Sequence, residues 1–150
     1  MNVATLLKAK GSRVVTTRPE ITIQTIIRRM KLEGIGAVVV VDSADDRIVG
    51  IISERDIARA LTEHGADLLR MRVADIMTRS VRTCAPHDGI KHVMTVMTRS
   101  RIRHLPVIDE RRLCGIISIG DVVKYRLEEM ELEANVLRDA YITCRSAVAS

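Results

Sequence analysis

The sequence predicts an α/β (α+β) fold. Two β-α-β-β-α repeats pack sheet to sheet with pseudo-twofold symmetry, and a C-terminal helix follows. Three observations carry this prediction. A seven-residue stretch is written twice, as Gly50-Ile51-Ile52-Ser53-Glu54-Arg55-Asp56 and as Gly115-Ile116-Ile117-Ser118-Ile119-Gly120-Asp121. The residues around it repeat too. Residues 14–42 align with 81–109 through Val14/Val81, Thr16/Thr83, Pro19/Pro86, Ile23/Ile90, Met30/Met97, Ile35/Ile102, Val40/Val107 and Asp42/Asp109. After the last repeat, apolar residues recur at alternating steps of four and three, the period of a helical seam.

In chain order, Val3-Ala4-Thr5-Leu6-Leu7 is a short apolar run closed by Gly11, a helical turn. Val14-Val15-Thr16 is β-type and ends near Pro19. Thr22 suits an N-cap for a helix whose Ile23, Ile26, Ile27 and Met30 share one face, stopped by Gly34 and Gly36. Ala37 to Val41 is continuously apolar and reads as a strand buried on both faces. A polar turn at residues 42–46 leads to a strand from Ile48 to Ile52. Ser53 then opens a helix with Ile57, Ala58 and Leu61 inward, ended by His64-Gly65.

Residues 66–72 read as the join, and Val73 to Met77 as one helical turn. The order then recurs. Val81-Arg82-Thr83 is a strand, His87-Asp88 a helix-start cap, and Ile90, Val93, Met94 and Met97 a helix face. His104 to Ile108 and Leu113 to Ile117 form paired strands around a tight turn at Glu110-Arg111-Arg112. The expected divisions are 1–65 for the first repeat with its N-terminal helical turn, 66–80 for the linker, 81–127 for the second repeat, and 128–150 for the C-terminal amphipathic helix. Val123, Leu127, Met130, Ala134, Leu137, Tyr141 and Cys144 form the seam. Its narrow 3.5-residue period favours pairing with another helix over folding back on its own repeat, so a homodimer is expected.

The chain has 150 residues, 47% of them hydrophobic, but no Phe or Trp and only two Tyr. The core must therefore be aliphatic. Single-strand nucleic-acid binding, which uses aromatic stacking platforms, is disfavoured. A net charge of +5, carried mostly by Arg, fits anionic partners: nucleotides, nucleic acid or a membrane surface. No helix-turn-helix signature is evident. Cys84, Cys114 and Cys144 are single and widely spaced, without metal-ligand spacing, so no metal is expected and Cys84 and Cys114 read as core filling. No stretch approaches a spanning helix and the N-terminus is too short and polar for a signal peptide. The reading is a soluble cytoplasmic protein. His64, His87, His92 and His104 join no recognisable nucleophile, and no catalytic residue is expected.

The doubled Gly-x-x-Ser-x-x-Asp admits two readings. As a capping box, Ser caps the helix and Asp reaches back to it. As a ligand site, the helix N-terminus faces a phosphate and the ionised Asp accepts two sugar hydroxyls at once. The tandem unit resembles the paired CBS domain, named for cystathionine β-synthase. Gly34-Ile35-Gly36-Ala37, Asp75-Ile76-Met77-Thr78 and Arg103-His104-Leu105-Pro106-Val107 support the resemblance. It covers roughly residues 3–127 and is closest to the small stand-alone bacterial type.

The resemblance implies a disc-like pair, dimerising through its CBS faces as well as the C-terminal helix, whose clefts take AMP, ADP, ATP, NAD(H) or S-adenosylmethionine. By that resemblance one cleft uses Ser118 and Asp121, with Arg103 and His104 near phosphate and Lys10, Val15, Thr16 and Ala37 on the other wall. The second uses Ser53 and Asp56 with Gly36, and Thr78, Val81 and Thr83 from the second unit. The Asp121 cleft is expected to bind more tightly. The implied function is a regulatory adenine-nucleotide sensor, AMP foremost, that modulates an unidentified protein partner, with Arg55 or Arg103 as a mobile group. The alternative is a nucleic-acid-binding or purely structural dimerisation protein.

Overall fold

A computed structural model describes residues 1–149. Helix α1 (Val3–Lys10) is followed by β1 (Thr16–Thr17), α2 (Ile23–Glu33), β2 (Ala37–Val41), β3 (Ile48–Ser53) and α3 (Glu54–His64). A 3-10 helix (Gly65–Arg70) and α4 (Val73–Ile76) lead to α5 (Ile90–Ser100), β4 (His104–Asp109), β5 (Arg112–Ser118) and α6 (Ile119–Val148). β1 pairs in parallel with β2, which pairs antiparallel with β3; β4 and β5 form a second antiparallel pair.

The repeat is visible in the backbone. Thr17 pairs in parallel with Val40, and Cys84 with Val107 at the same repeat position. Both hairpins carry an irregularity there, between Val40 and Val41 and between Val107 and Ile108. The connections differ. Asp42 and Asp45 side chains organise the longer first turn by accepting from Ala44 N–H and Arg47 N–H. The second turn is only Glu110-Arg111, with φ of 44° and 69°. A type I′ two-residue loop has positive φ at both positions, which matches the strand twist.

Thr22 caps α2 through Thr25 N–H, and Gly34 ends it at φ 64°, the left-handed geometry expected of a glycine there. Ile23, Ile26 and Met30 are buried with Val38, Val40, Ile52, Ala60, Leu68, Val73 and Met77. A separate cluster holds Ile90, Val93, Met97, Leu105, Val107, Ile117 and Val122. The interior is thus two aliphatic cores, one per unit, rather than a single shared one.

Several expectations are corrected. The Val14-Val15-Thr16 strand lies later and is shorter, at Thr16–Thr17, and Val81-Arg82-Thr83 is no strand; a single bridge at Cys84 replaces it. Ala58 and Leu61 face outward, because Ala60 is the buried residue of α3. Asp88 does not cap α5. Its carboxylate accepts from Ala85 N–H, and Gly89 stands at the N-cap. Residues 65–70 carry a core residue, Leu68, 1% exposed.

The main surprise is α1. Its Val3, Leu6 and Leu7 lie in the core of the second unit, although the chain reads them with the first. The α4 segment does the converse, burying Val73 and the Met77 that follows the helix in the first unit. The anchoring is the same twice: Val3 N–H donates to Asp88 O and Ala4 N–H to Pro86 O, as Val73 N–H donates to Ile21 O and Ala74 N–H to Pro19 O. Each unit therefore borrows a short helix from the segment preceding the other. Val3-Ala4…Leu7 and Val73-Ala74…Met77 carry the same residue pattern.

Candidate functional site: two unequal capping boxes

Both repeated stretches end a strand and start a helix, and both form complete capping boxes. At Ser53, the N–H and hydroxyl donate to Asp56 Oδ2, each at 2.9 Å, while Asp56 N–H donates to Ser53 Oγ at 3.3 Å. At Ser118 the corresponding distances are 2.8, 2.9 and 3.2 Å. Each box is worth about 1 kcal/mol to its helix. Glycine opens each stretch because a borrowed helix crosses it. A Cβ on Gly50 would stand 2.5 Å from Met77 Sδ and 3.1 Å from Thr78 O. One on Gly115 would meet the Leu7 side chain first, nearest at 2.7 Å.

What differs is the group reaching each aspartate from the borrowed segment. α4 is one turn long, so the chain leaves it extended. Thr78 N–H and C=O pair with Ile51, both at 2.9 Å, and Thr78 Oγ1 donates to Asp56 Oδ1 at 3.0 Å. α1 continues a turn further. Lys10 Nζ sits where a backbone N–H sits in the other unit: it donates to Ile116 O at 2.8 Å and to Asp121 Oδ2 at 2.5 Å. Asp121 Oδ2 thus accepts from three donors. Burial raises the Asp121 carboxyl pKa, but the hydrogen bonds from Lys10 and from the Ser118 N–H and hydroxyl outweigh it. The group is held below its ordinary 3.8. Its side chain stays 26% exposed.

His104 lies between the two halves. It pairs with Ser118 across β4 and β5, and a Cβ on Gly36 would touch its Cε1 at 3.4 Å and Glu54 Oε2 at 3.5 Å. Burial and then the Lys10 charge depress its pKa, partly offset by Asp121 and Glu54. The start of each middle strand is tied to the helix beside it: Glu54 N–H donates to Gly36 O at 3.0 Å, and Ile119 N–H to Arg103 O at 2.8 Å. The Arg103 residue is exposed. Arg55, expected to be mobile, donates to Arg101 O at 2.8 Å and so bridges the units.

The structure thus gathers Lys10, Ser118, Asp121, His104 and Gly36 at one place, and Ser53, Asp56 and Thr78 at another. Ala37 is buried as the first residue of β2, opposite Ser53, and Val15 is half-buried. Val81 closes a turn onto Arg79 O, and Thr83 is exposed; Thr78 is the member of that trio that reaches Asp56. Thr16 lines a cleft of about 710 Å³ with Ser12, Val14 and Arg18 on one wall and Arg111, Arg112 and Leu113 on another. The Lys10–Ile116 contact ties together the same two segments at their other end. Sequence reasoning missed Arg18, Arg111 and Arg112. Their signal was position alone: the end of β1 and a two-residue turn that must face it. Asp45 and Asp46 line it as well, and Asp46 pairs with Arg18 at 2.8 Å.

No metal is indicated by donor geometry: among the described residues, no three His, Cys, Asp or Glu side chains are placed to hold one. The Cys84 thiol is pushed up to about 12 by burial, then by Asp88 and Cys114, so it stays protonated and unreactive. No described helix is long and apolar enough to cross a membrane.

The CBS-domain family model matches residues 11–63 and again 73–128. The chain belongs to the CBS-domain family, as a tandem pair. The mitochondrial CBS domain-containing protein CBSX3 of Arabidopsis thaliana is 36% identical over 89% of this chain, which spans 66% of that relative's length. A CBS-domain-containing protein of Agrobacterium tumefaciens has a solved structure that superposes with a TM-score of 0.81 at 43% identity, covering 83% of this chain and 92% of that one. The CBS domain pair of protein MJ0100, solved in complex with 5′-methylthioadenosine and S-adenosyl-L-methionine, superposes with a TM-score of 0.76 at 27% identity, covering 86% of this chain and 98% of that one. That CBS pair, then, holds adenosine-type ligands. The family match begins at residue 11 and omits α1, the helix that supplies Lys10.

Proposed function

We propose that this CBS pair is a regulatory module that binds an adenine nucleotide at Asp121 and modulates an unidentified protein partner as part of a homodimer. The observation that carries the reading is the partly exposed Asp121 carboxylate, loaded with donors on Oδ2, Lys10 among them, with His104 paired to Ser118 beside it. A carboxylate oxygen accepts more than one bond, so Oδ1 has capacity for sugar hydroxyls. Lys10 can swing from Asp121 to a ligand phosphate, because a partly exposed ion pair holds it by only ~1 kcal/mol. AMP is the foremost ligand, with ATP, NAD(H) and S-adenosylmethionine as the other members of the same chemistry. Arg103 and His104 then face the phosphates, and Val15, Thr16 and Ala37 the base. The Asp56 cleft, with Gly36, Ser53, Thr78, Val81 and Thr83, takes a second ligand more weakly.

Three free cysteines suit a reducing compartment, and we assign the module to the cytoplasm. No chemical step is assigned to it. Regulation requires that the ligand favour one arrangement of the assembly over another. The Arg55–Arg101 bridge between the units is the element such a change would alter.

The test is thermal unfolding with AMP, ATP, NADH and S-adenosylmethionine in turn. At a concentration of 100 times Kd, binding adds about 2.7 kcal/mol. One of the four should raise the Tm of the wild type and leave that of Asp121→Asn unmoved. No shift with any of them ends the proposal. Mass spectrometry of small molecules retained on purification would identify the ligand independently.

A further inference from the structure

Helix α6 leaves the fold. Val122 is fully buried, but Leu127 is 56% exposed, and from there Leu137, Tyr141 and Val148 are more exposed still. At 1.5 Å per residue, the stretch from Leu127 to Val148 projects about 30 Å. Among the described residues, the seam from Leu127 onward is exposed, and α6 does not fold back on its own unit.

Its flanks say what covers it. With Leu127, Ala134, Tyr141 and Val148 at a and Val123, Met130, Leu137 and Cys144 at d, the g positions are Arg126, Glu133, Ala140 and Ala147. The e positions are Lys124, Glu131, Arg138 and Arg145. In a parallel pair each g residue faces the next e of the other strand. Arg126 then meets Glu131 of a second copy, and Glu133 meets Arg138. Both contacts are attractive, both occur twice, and no charged g–e contact is repulsive.

Antiparallel pairing fares worse. Centred on Ala134 and Leu137, it sets Lys124 against Arg145 and Glu131 against Arg138, so repulsion offsets attraction. Shifted one heptad toward the fold, it sets Glu131 against Glu131 and Glu133 against Glu133; shifted one heptad outward, it sets Arg138 against Arg138 while Glu131 meets Arg145. Arg126 already pairs with Glu129 within its own helix, an i,i+3 contact that leaves Glu131 and Arg138 available to a second strand. Leu132, Val136 and Ile142 lie off the seam, at f, c and b.

We propose that α6 pairs, parallel and in register, with α6 of a second copy of this chain, setting Cys144 against its counterpart. This rests on the homodimer reading above and not on the nucleotide. A parallel seam brings two d-position residues near disulfide range, which needs Cα atoms 4.4–6.8 Å apart. The antiparallel registers instead place Cys144 opposite Leu127, opposite Ala134 or beyond the overlap, in each case away from the second Cys144.

The experiment combines sedimentation velocity with mild oxidation by diamide, which takes up the two protons and two electrons released when two thiols join. The wild type should sediment as a dimer and cross-link. Cys144→Ser should still sediment as a dimer but not cross-link. Leu137→Glu, on an exposed face, should keep its circular dichroism and become monomeric. A wild-type monomer overturns both the homodimer reading and this pairing. A dimer without the Cys144 cross-link, a dimer that survives Leu137→Glu, or a trimer overturns the pairing alone.

Discussion

The two capping boxes share sequence and geometry, yet they meet different neighbours. At Asp56 the borrowed segment arrives as backbone, and Thr78 closes the edge of β3 with a two-bond bridge. At Asp121 it arrives as the side chain of Lys10, which imitates one of those bonds and adds a charge. A backbone bridge cannot leave without breaking the edge of a sheet; a lysine can rotate away. The lesson is that duplication preserves a cap, while the length of one short helix, α1 against α4, decides which cap can be opened.

The sharpest way to break this comparison is at the glycines. Gly50→Ala forces a Cβ against Thr78 backbone as well as Met77, whereas Gly115→Ala first meets the ends of Leu7. Overpacking costs ~1–3 kcal/mol, so urea denaturation should place Gly50→Ala at the upper end and Gly115→Ala clearly below it. Equal losses would mean that the borrowed segments are equally rigid. Next come the caps. Ser53→Ala and Ser118→Ala should each lose about 1 kcal/mol, and their near equality would show that the boxes themselves do not distinguish the clefts.

Thr78→Val removes a hydroxyl bond to Asp56 worth roughly 1 kcal/mol. Lys10→Met, at a partly exposed pair, should cost less than that in unfolding experiments. If Lys10→Met proved the more damaging, the lysine would be a structural strut rather than a movable group.

The smallest effects are in pH. Because Asp121 is held below its ordinary value, the unfolded chain takes up a proton that the folded site refuses. Its contribution is complete above about pH 4 and is lost as pH falls through the depressed value. Lys10→Met should flatten that acid limb. His104 is likewise depressed, so folded protein resists protonating it and stability declines as pH drops below 6.5. His104→Gln should remove that part of the slope.

Much of this was legible in one dimension. Helix α2 was placed by its Thr22 cap and Ile23/Ile26/Met30 spacing, and β2 by its unbroken Ala37–Val41 run, because caps and apolar periods are local signals. The strands at residues 14–16 and 81–83 were misjudged, since a two-residue strand or single bridge is defined by its partner and not by its own composition. Helical spacing marks Ala58 and Leu61 as part of an apolar stripe without saying which part the sheet will cover.

By itself, the sequence determined the duplication, the paired caps and the seam on α6, all of which depend on residues within a few turns of one another. Only the tertiary structure decided that α1 crosses to the second unit, bringing Lys10 to a carboxylate more than a hundred positions away, and that Arg18 faces Arg111 and Arg112 across a cleft. Those contacts arise because each small unit must complete its core with a helix, and the one within reach precedes the other unit. No local pattern encodes which helix will be near.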